Sequence, residues 1–359
     1  MTKVTYLLGA GASYGAVPIV GEMEQRVFNI YNALCNDKYE EVEQVNPGQK
    51  GYDKWRAHRN IVKLKEDKDN LKSSELETLE KFSDDLKWLH NGMENHASVD
   101  TFGKKLYLKR ETSLLTKLKY LLSAYLTIEQ FISSPDPRYD KFFATILEDS
   151  ASVFPNGMKV ISWNYDFQFE LAYNEYRVDS DLWQHASNLG VVTKGTLLAL
   201  VDHQFIFKLN GSAGVISKDY IAKYMAGLAK GENRNNILRQ ILEIFEGKNS
   251  HNEISSALSF AWEREKGLNS KPVLDIAIEQ IKNSTHIVVI GYSFPYFNAR
   301  VDKQLMQTVK DKNVKFYVQD PNANKVVESL REITGFGEEL NVESIDYTTE
   351  FFIPYDFFG

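Results

Sequence analysis

Four short segments of this chain combine small residues with polar side chains suited to holding a nucleotide. They are Leu7-Leu8-Gly9-Ala10-Gly11-Ala12-Ser13, Ile161-Ser162-Trp163-Asn164-Tyr165-Asp166, Lys208-Leu209-Asn210-Gly211-Ser212 and Ile290-Gly291-Tyr292-Ser293-Phe294. Gly9 and Gly11 permit a tight turn and close backbone approach, so that a following helix directs its N–H groups and positive dipole end at a pyrophosphate. The Asn164 amide offers a donor and an acceptor to ribose hydroxyls or to a water. Asp320, in Gln319-Asp320-Pro321-Asn322, suits a ribose diol at the end of a parallel strand, with Asn322 in reserve.

Each segment also has a structural alternative. The glycines can form a packing turn, Asn164 and Asp166 can cap a helix starting near Phe167, and the segments at Gly291 and Asp320 can be ordinary turns. The first segment lacks the Gly-Lys-Ser/Thr ending of a P-loop, and Gly15 falls one position later than G-x-G-x-x-G requires. The second departure disfavours a common nicotinamide dehydrogenase.

The elements that must position these residues are legible from periodicity. Apolar runs at Val4 to Leu8, Lys159 to Trp163, Gln204 to Leu209, His286 to Ile290 and Val314 to Gln319 read as strands. Helices are expected at about Gly21 to Leu34, Phe167 to Arg177, Asn298 to Lys310 and Asn324 to Ile333. Apolar strands separated by single helices imply an α/β, Rossmann-like parallel sheet with right-handed crossovers and helices on both faces. The charged stretch from Asn36, with Lys63 to Lys81 as a solvated helix face, opens a helical insertion. Leu114, Leu115, Leu118, Leu121, Leu122, Tyr125 and Leu126 form one helical stripe, and Tyr139, Phe142, Phe143, Ile146 and Leu147 a second, after Pro135 and Pro137. These features divide the chain into a discontinuous sheet domain, 1–35 and 155–350, with helical insertions at 36–154 and 217–270 forming a smaller α-helical domain.

Composition narrows the function. The chain has 359 residues, 43% of them apolar, and a formal charge of -7, so it has room for a large core and no global basic field to attract nucleic acid. One cysteine, Cys35, rules out an internal disulfide or a zinc site of two or four cysteines. No apolar run reaches the roughly 18 residues of a membrane span. The start, Met1-Thr2-Lys3, leads directly into the first strand without a signal peptide's apolar length, so a cytoplasmic location is expected. His58, His90, His96, His251 and His286 show no metal-ligand spacing.

The four segments, in this order, resemble the sirtuin-like NAD-binding superfamily, in particular the NAD-hydrolysing domains of bacterial antiphage defence proteins. Ser98-Val99-Asp100-Thr101-Phe102 is also similar to a segment of that group. The resemblance covers most of the chain, with the insertions matching in position more than in sequence. It implies that Gly9, Gly11, Ala12 and Ser13 contact NAD phosphates, that Asn164 and Asp166 face the nicotinamide ribose, that Gly291 and Ser293 flank the ligand, and that Asp320 lies near the adenosine ribose. It also implies a homo-oligomer and a partner such as a HerA-type ATPase.

Asn210 stands where that family usually has a histidine. Asparagine takes no proton near neutral pH, and losing a general base typically costs about 10²- to 10⁴-fold in rate. Asn164, Asp166 and Asn210 are therefore the candidate catalytic residues. The expected activity is hydrolysis of NAD to nicotinamide and ADP-ribose, and the alternative is a catalytically impaired NAD-binding subunit. His185 or His203 entering from a neighbouring loop, or Asp166 acting as base, would preserve catalysis. A protein deacylase is disfavoured, because the stretch Ser217 to Leu268 lacks the cysteines of the zinc module usual in sirtuin deacylases.

Overall fold

The computed structural model describes residues 2–35, 64–147, 154–177, 182–194, 203–216, 238–239, 241–242, 245, 255–260, 262–263, 273–310 and 312–358. His58, His251 and most of the expected second insertion lie outside them. The chain forms two compact units, one of Met1–Gly15, Pro135–Ser212 and Ala257–Gly359, the other of Ala16–Ser134 and Ala213–Ser256.

The first unit is built on a seven-stranded parallel sheet of order β3-β4-β2-β1-β7-β8-β9. Its strands are β1 (Val4–Leu8), β2 (Met158–Ser162), β3 (Val191–Val192), β4 (Ile206–Lys208), β7 (His286–Ile290), β8 (Lys315–Gln319) and β9 (Val342–Ile345). With the short edge strand β3 set aside, the order is that of a doubly wound Rossmann sheet, in which the winding reverses between β1 and β7. The expected α/β parallel sheet is thus present. Strands β3 and β9 were not anticipated: Val191–Val192 is too short for a periodic signal, and Val342–Ile345 is mostly exposed.

Alternation along β1 divides two apolar layers. Leu7, with Ile161, Phe207, Val289 and Val318, enters one core that also takes residues of α8 (Val273–Ile281), α9 (Ala299–Gln307) and α10 (Ala323–Thr334). Tyr6 points to the other face and meets Phe142 edge-on at 5.2 Å. Phe142 belongs to α5 (Pro137–Ile146), which packs beside α6 (Gln168–Tyr173) through Phe142, Phe143 and Phe169. Helices therefore cover both faces. The sheet unit takes in α5, which the sequence-based boundary at residue 155 leaves in the insertion, because the helix carries a stripe of aromatic side chains matched to the sheet.

The second unit contains α1 (Val20–Cys35), α2 (Ser73–Glu94), α3 (Val99–Leu108) and α4 (Thr112–Ile132). Helix α1 falls here rather than with the sheet because its apolar stripe, including Met23, Val27 and Ile30, packs against α2. Arg26 of α1 forms two hydrogen bonds with Glu129 of α4, and both side chains are largely buried. Ser98 caps α3, its hydroxyl accepting the Thr101 N–H at 3.1 Å, which gives the Ser98–Phe102 segment a local structural role. A two-stranded sheet pairs β5 (Gly211–Ile216) with β6 (Ser255–Leu258). Strand β6 falls where the sequence pattern predicts mostly helix. Among the described residues no helix is long and apolar enough to cross a membrane.

Candidate functional site

Register decides where the four segments meet. Leu8 pairs with Ser162 on one side and Ile290 on the other, Ser162 with Lys208, and Ile290 with Gln319. The carboxyl ends of five adjacent strands are therefore flush, and every candidate segment begins at that edge. In an open parallel sheet this edge is where ligands bind, above all at the point where the winding reverses.

At that reversal, between β1 and β7, the first and fourth segments touch through backbone. Gly291 has φ +58, and a Cβ there would lie 2.4 Å from the Gly11 carbonyl carbon and 2.5 Å from the Ala12 nitrogen. The Gly11 N–H donates to the Gly291 carbonyl at 3.0 Å, the Gly9 N–H to Ile290 at 3.1 Å and the Ala12 N–H to Gly9 at 2.9 Å. Residues Ala10–Ser13 form a single 3-10 turn, and the α-helix begins only at Val20. The helix expected at about Gly21 to Leu34 is present but set back from the glycines: the Gly9 and Gly11 N–H groups bond the end of β7, and the Ala12 N–H closes the 3-10 turn on Gly9.

Around this turn lies the start of α5. Asp136 accepts the Gly15 N–H at 2.7 Å and caps its own helix through the Arg138 N–H at 3.0 Å. The Arg138 guanidinium donates to the Gly11 carbonyl at 3.0 Å, to the Ala12 carbonyl at 3.1 Å and to Asp136 at 2.6 Å. Tyr139 places its hydroxyl 2.9 Å from Ser13 Oγ. The sequence made none of these three a site candidate, and it placed Tyr139 in a packing stripe. The Pro135-Asp136-Pro137 run, which marks a capped helix start, was the available signal.

The second segment meets the first through side chains. Asn164 Nδ2 donates to Ser13 Oγ at 3.1 Å. Asp166 is buried, which raises its pKa, while hydrogen bonds from Ser13 and from the Gln168 backbone and the charge of Lys208 act in the opposite sense. Asp166 also accepts the Gln168 N–H at 3.2 Å, so it does cap α6, as the structural alternative anticipated. Lys208, from the third segment, ties this loop to β4: its ammonium donates to the Asp166 carbonyl at 2.7 Å and to Glu170 at 2.5 Å. Both members of that ion pair are buried.

Asn210 is buried and donates its amide to the Trp163 carbonyl at 2.9 Å, which places it against the residue before Asn164. Its backbone carbonyl accepts the Ser259 N–H. Neither of the two histidines considered as substitutes joins this cluster by hydrogen bond. His185 Nε2 bonds the Arg177 carbonyl at 2.9 Å, with the ring edge-on to Tyr173, and His203 lies beside Phe205. The Trp163 ring stacks on Tyr292 at 5.4 Å and joins the second segment to the fourth, and Tyr292 donates to the buried carboxyl of Asp302 at 2.8 Å.

Ser293 is exposed, and Asp320 is half-buried with its carboxyl accepting the Asn322 N–H at 2.8 Å at the start of α10. Among the described residues neither bonds the other candidates. Nor does any group of three or more His, Cys, Asp or Glu among them have a geometry that would hold a metal ion.

No family model matches this chain, and no curated protein matches it. Among solved structures, "Structure of Sir2Tm bound to a propionylated peptide" aligns over 96% of this chain and 87% of that chain, with 10% sequence identity and a TM-score of 0.34. A likeness at that score carries no argument, so the fold rests on the strand order and register given above.

Proposed function

We propose that the chain binds NAD at the flush strand edge and hydrolyses it to nicotinamide and ADP-ribose, as a bacterial antiphage effector. One observation carries the reading: Ser13 and Asn164, 151 residues apart, hydrogen-bond to each other at the ends of neighbouring strands, with Asp166 beside them. The order of the four segments supports NAD as the nucleotide. Cleaving the nicotinamide–ribose bond builds positive charge on the sugar, and a buried carboxylate with a fixed amide dipole is suited to stabilising that charge. Asp166 and Asn164 are the groups assigned to it, and Asn210 holds the loop that carries them.

The glycine turn supports the reading less directly. Its N–H groups at Gly9, Gly11 and Ala12 are already bonded to backbone carbonyls, so phosphate recognition there requires those bonds to be exchanged. Asn210 favours a second reading, an NAD-binding regulatory or assembly subunit without turnover, because the amide that replaces the family's base is engaged by the Trp163 carbonyl. In either case the protein is expected to work in the cytoplasm as a homo-oligomer or with a HerA-type ATPase.

The test is nicotinamide release from NAD by the purified protein, alone and with cell or phage components. Release abolished by Asn164→Ala supports hydrolysis. Intact NAD binding with no release under any condition removes the enzymatic reading, and hydrolysis gained by Asn210→His supports the second.

A further inference from the structure

Three groups converge on the single hydroxyl of Ser13, which is only 1% exposed. Asn164 Nδ2 lies at 3.1 Å and the Tyr139 hydroxyl at 2.9 Å, and the third is the Asp166 carboxyl, whose pKa a hydrogen bond from Ser13 lowers against the effect of burial. A hydroxyl has one proton and two lone pairs. The amide nitrogen only donates and takes one lone pair, while an ionised carboxylate only accepts and takes the proton. Tyr139 must then donate into the remaining lone pair, so the inventory has one solution and Ser13 is saturated. Protonation of Asp166 permits the reversed chain, from Asp166 to Ser13 to Tyr139, and the direction of the chain therefore follows the charge on Asp166.

Tyr139 is itself rigidly held. Its ring stands edge-on to Phe169 at 4.8 Å and to Phe351 at 4.9 Å. Its neighbours Asp136 and Arg138 fasten the same helix start to Gly15, Gly11 and Ala12. A hydroxyl saturated in this way has no capacity left for a phosphate oxygen.

We propose that Tyr139 is a positioning residue of the strand-edge site, its phenol setting the direction of the Ser13 hydroxyl and through it the placement of Asp166 and Asn164. The role in turnover rests on the NAD-hydrolysing reading, whereas the hydrogen-bond chain stands independently of it. The charged groups that act on Asp166 are Lys208 of β4 and Glu170 of α6, and Tyr139 in turn faces Asp166, Asp136 and Arg138. Tyr139→Phe alters none of these charges. It keeps the ring and deletes only the donor.

The experiment titrates the Asp166 carboxyl by NMR in protein carrying labelled aspartate, assigned with Asp166→Asn, alongside NAD turnover. In Tyr139→Phe the titration is expected to move to higher pH, as a weakened Ser13 donor stabilises the carboxylate less. Replacing Tyr139 by 3-fluorotyrosine, a stronger donor of nearly the same size, should move it the opposite way and guards against a misfolded phenylalanine variant. The kcat for nicotinamide release should fall about three- to tenfold in Tyr139→Phe with KM unchanged, the equivalent of one hydrogen bond. The acid limb of its pH profile should move with the carboxyl. An unmoved titration in both variants, or a moved titration with wild-type kcat, overturns the proposal. If the wild-type protein neither binds nor cleaves NAD, the functional reading fails, and the titration still decides the hydrogen-bond chain.

Discussion

Lys208 shows how a single side chain earns its position in this protein. It sits between Phe207 and Leu209 in an otherwise apolar stretch, and its ammonium is buried against Glu170, the Asp166 carbonyl and the face of the Phe167 ring. Removing one member of a buried pair strands the other, so Lys208→Met is expected to cost about 3–5 kcal/mol in urea unfolding. Adding Glu170→Gln should recover most of that loss, leaving a deficit of about 1 kcal/mol for the unpartnered Asp166 carbonyl. A single variant as stable as wild type would contradict this account. Asp302 makes a second prediction. It is fully buried in α9, and burial lifts its pKa from 3.8 to about 8 against the opposing hydrogen bond from Tyr292. Between those two values the native state holds a proton that the unfolded chain has released, so stability falls as pH rises, by about 1.4 kcal/mol per pH unit from this group. The contribution is fully present below about pH 4 and exhausted above about pH 8. Asp302→Asn should flatten the wild-type slope between pH 5.5 and 7.5, and unfolding curves with equal slopes would refute the assignment.

At the scale of elements, the decisive contact is between two turns. The β1 and β7 turns approach so closely that a side chain on Gly291 meets the Gly11–Ala12 peptide, and the backbone there is left-handed. Gly291→Ala is expected to destabilise the fold by about 2–5 kcal/mol, combining the left-handed penalty with overpacking. An unfolding midpoint like wild type would show that the turns can part at little cost. Helix capping gives a smaller effect: Ser98→Ala should remove about 1 kcal/mol from α3 by freeing the Thr101 N–H. The glycine pattern was legible in the sequence, as were β7 to the residue and α1 and α10 to within one or two residues, whereas the Ser98 cap came from the structure. The partners of the Gly9 and Gly11 N–H groups were not legible, because spacing along a chain does not say whether they will be claimed by carbonyls at the end of another strand.

For the molecule as a whole, ligand linkage gives a direct test of the functional reading. A ligand that binds only the folded state at a hundred times its Kd adds about 2.7 kcal/mol, so NAD should raise the thermal midpoint in proportion to the logarithm of its concentration. No shift at millimolar NAD would count against binding at the strand edge. The sequence by itself determined the kind of sheet, because apolar strands alternating with amphipathic helices have few ways to bury both faces. It also marked the strand ends, because glycine and short polar residues interrupt apolar runs there. Only the tertiary structure decided which residues share a site. Flush register sets Leu8, Ser162, Lys208 and Ile290 along one edge, and the α5 helix brings Tyr139 to Ser13 across 126 positions of chain. Periodicity records which way a side chain faces along its own element. The partner it meets there depends on strand order, register and packing, which are properties of contacts distant in the chain.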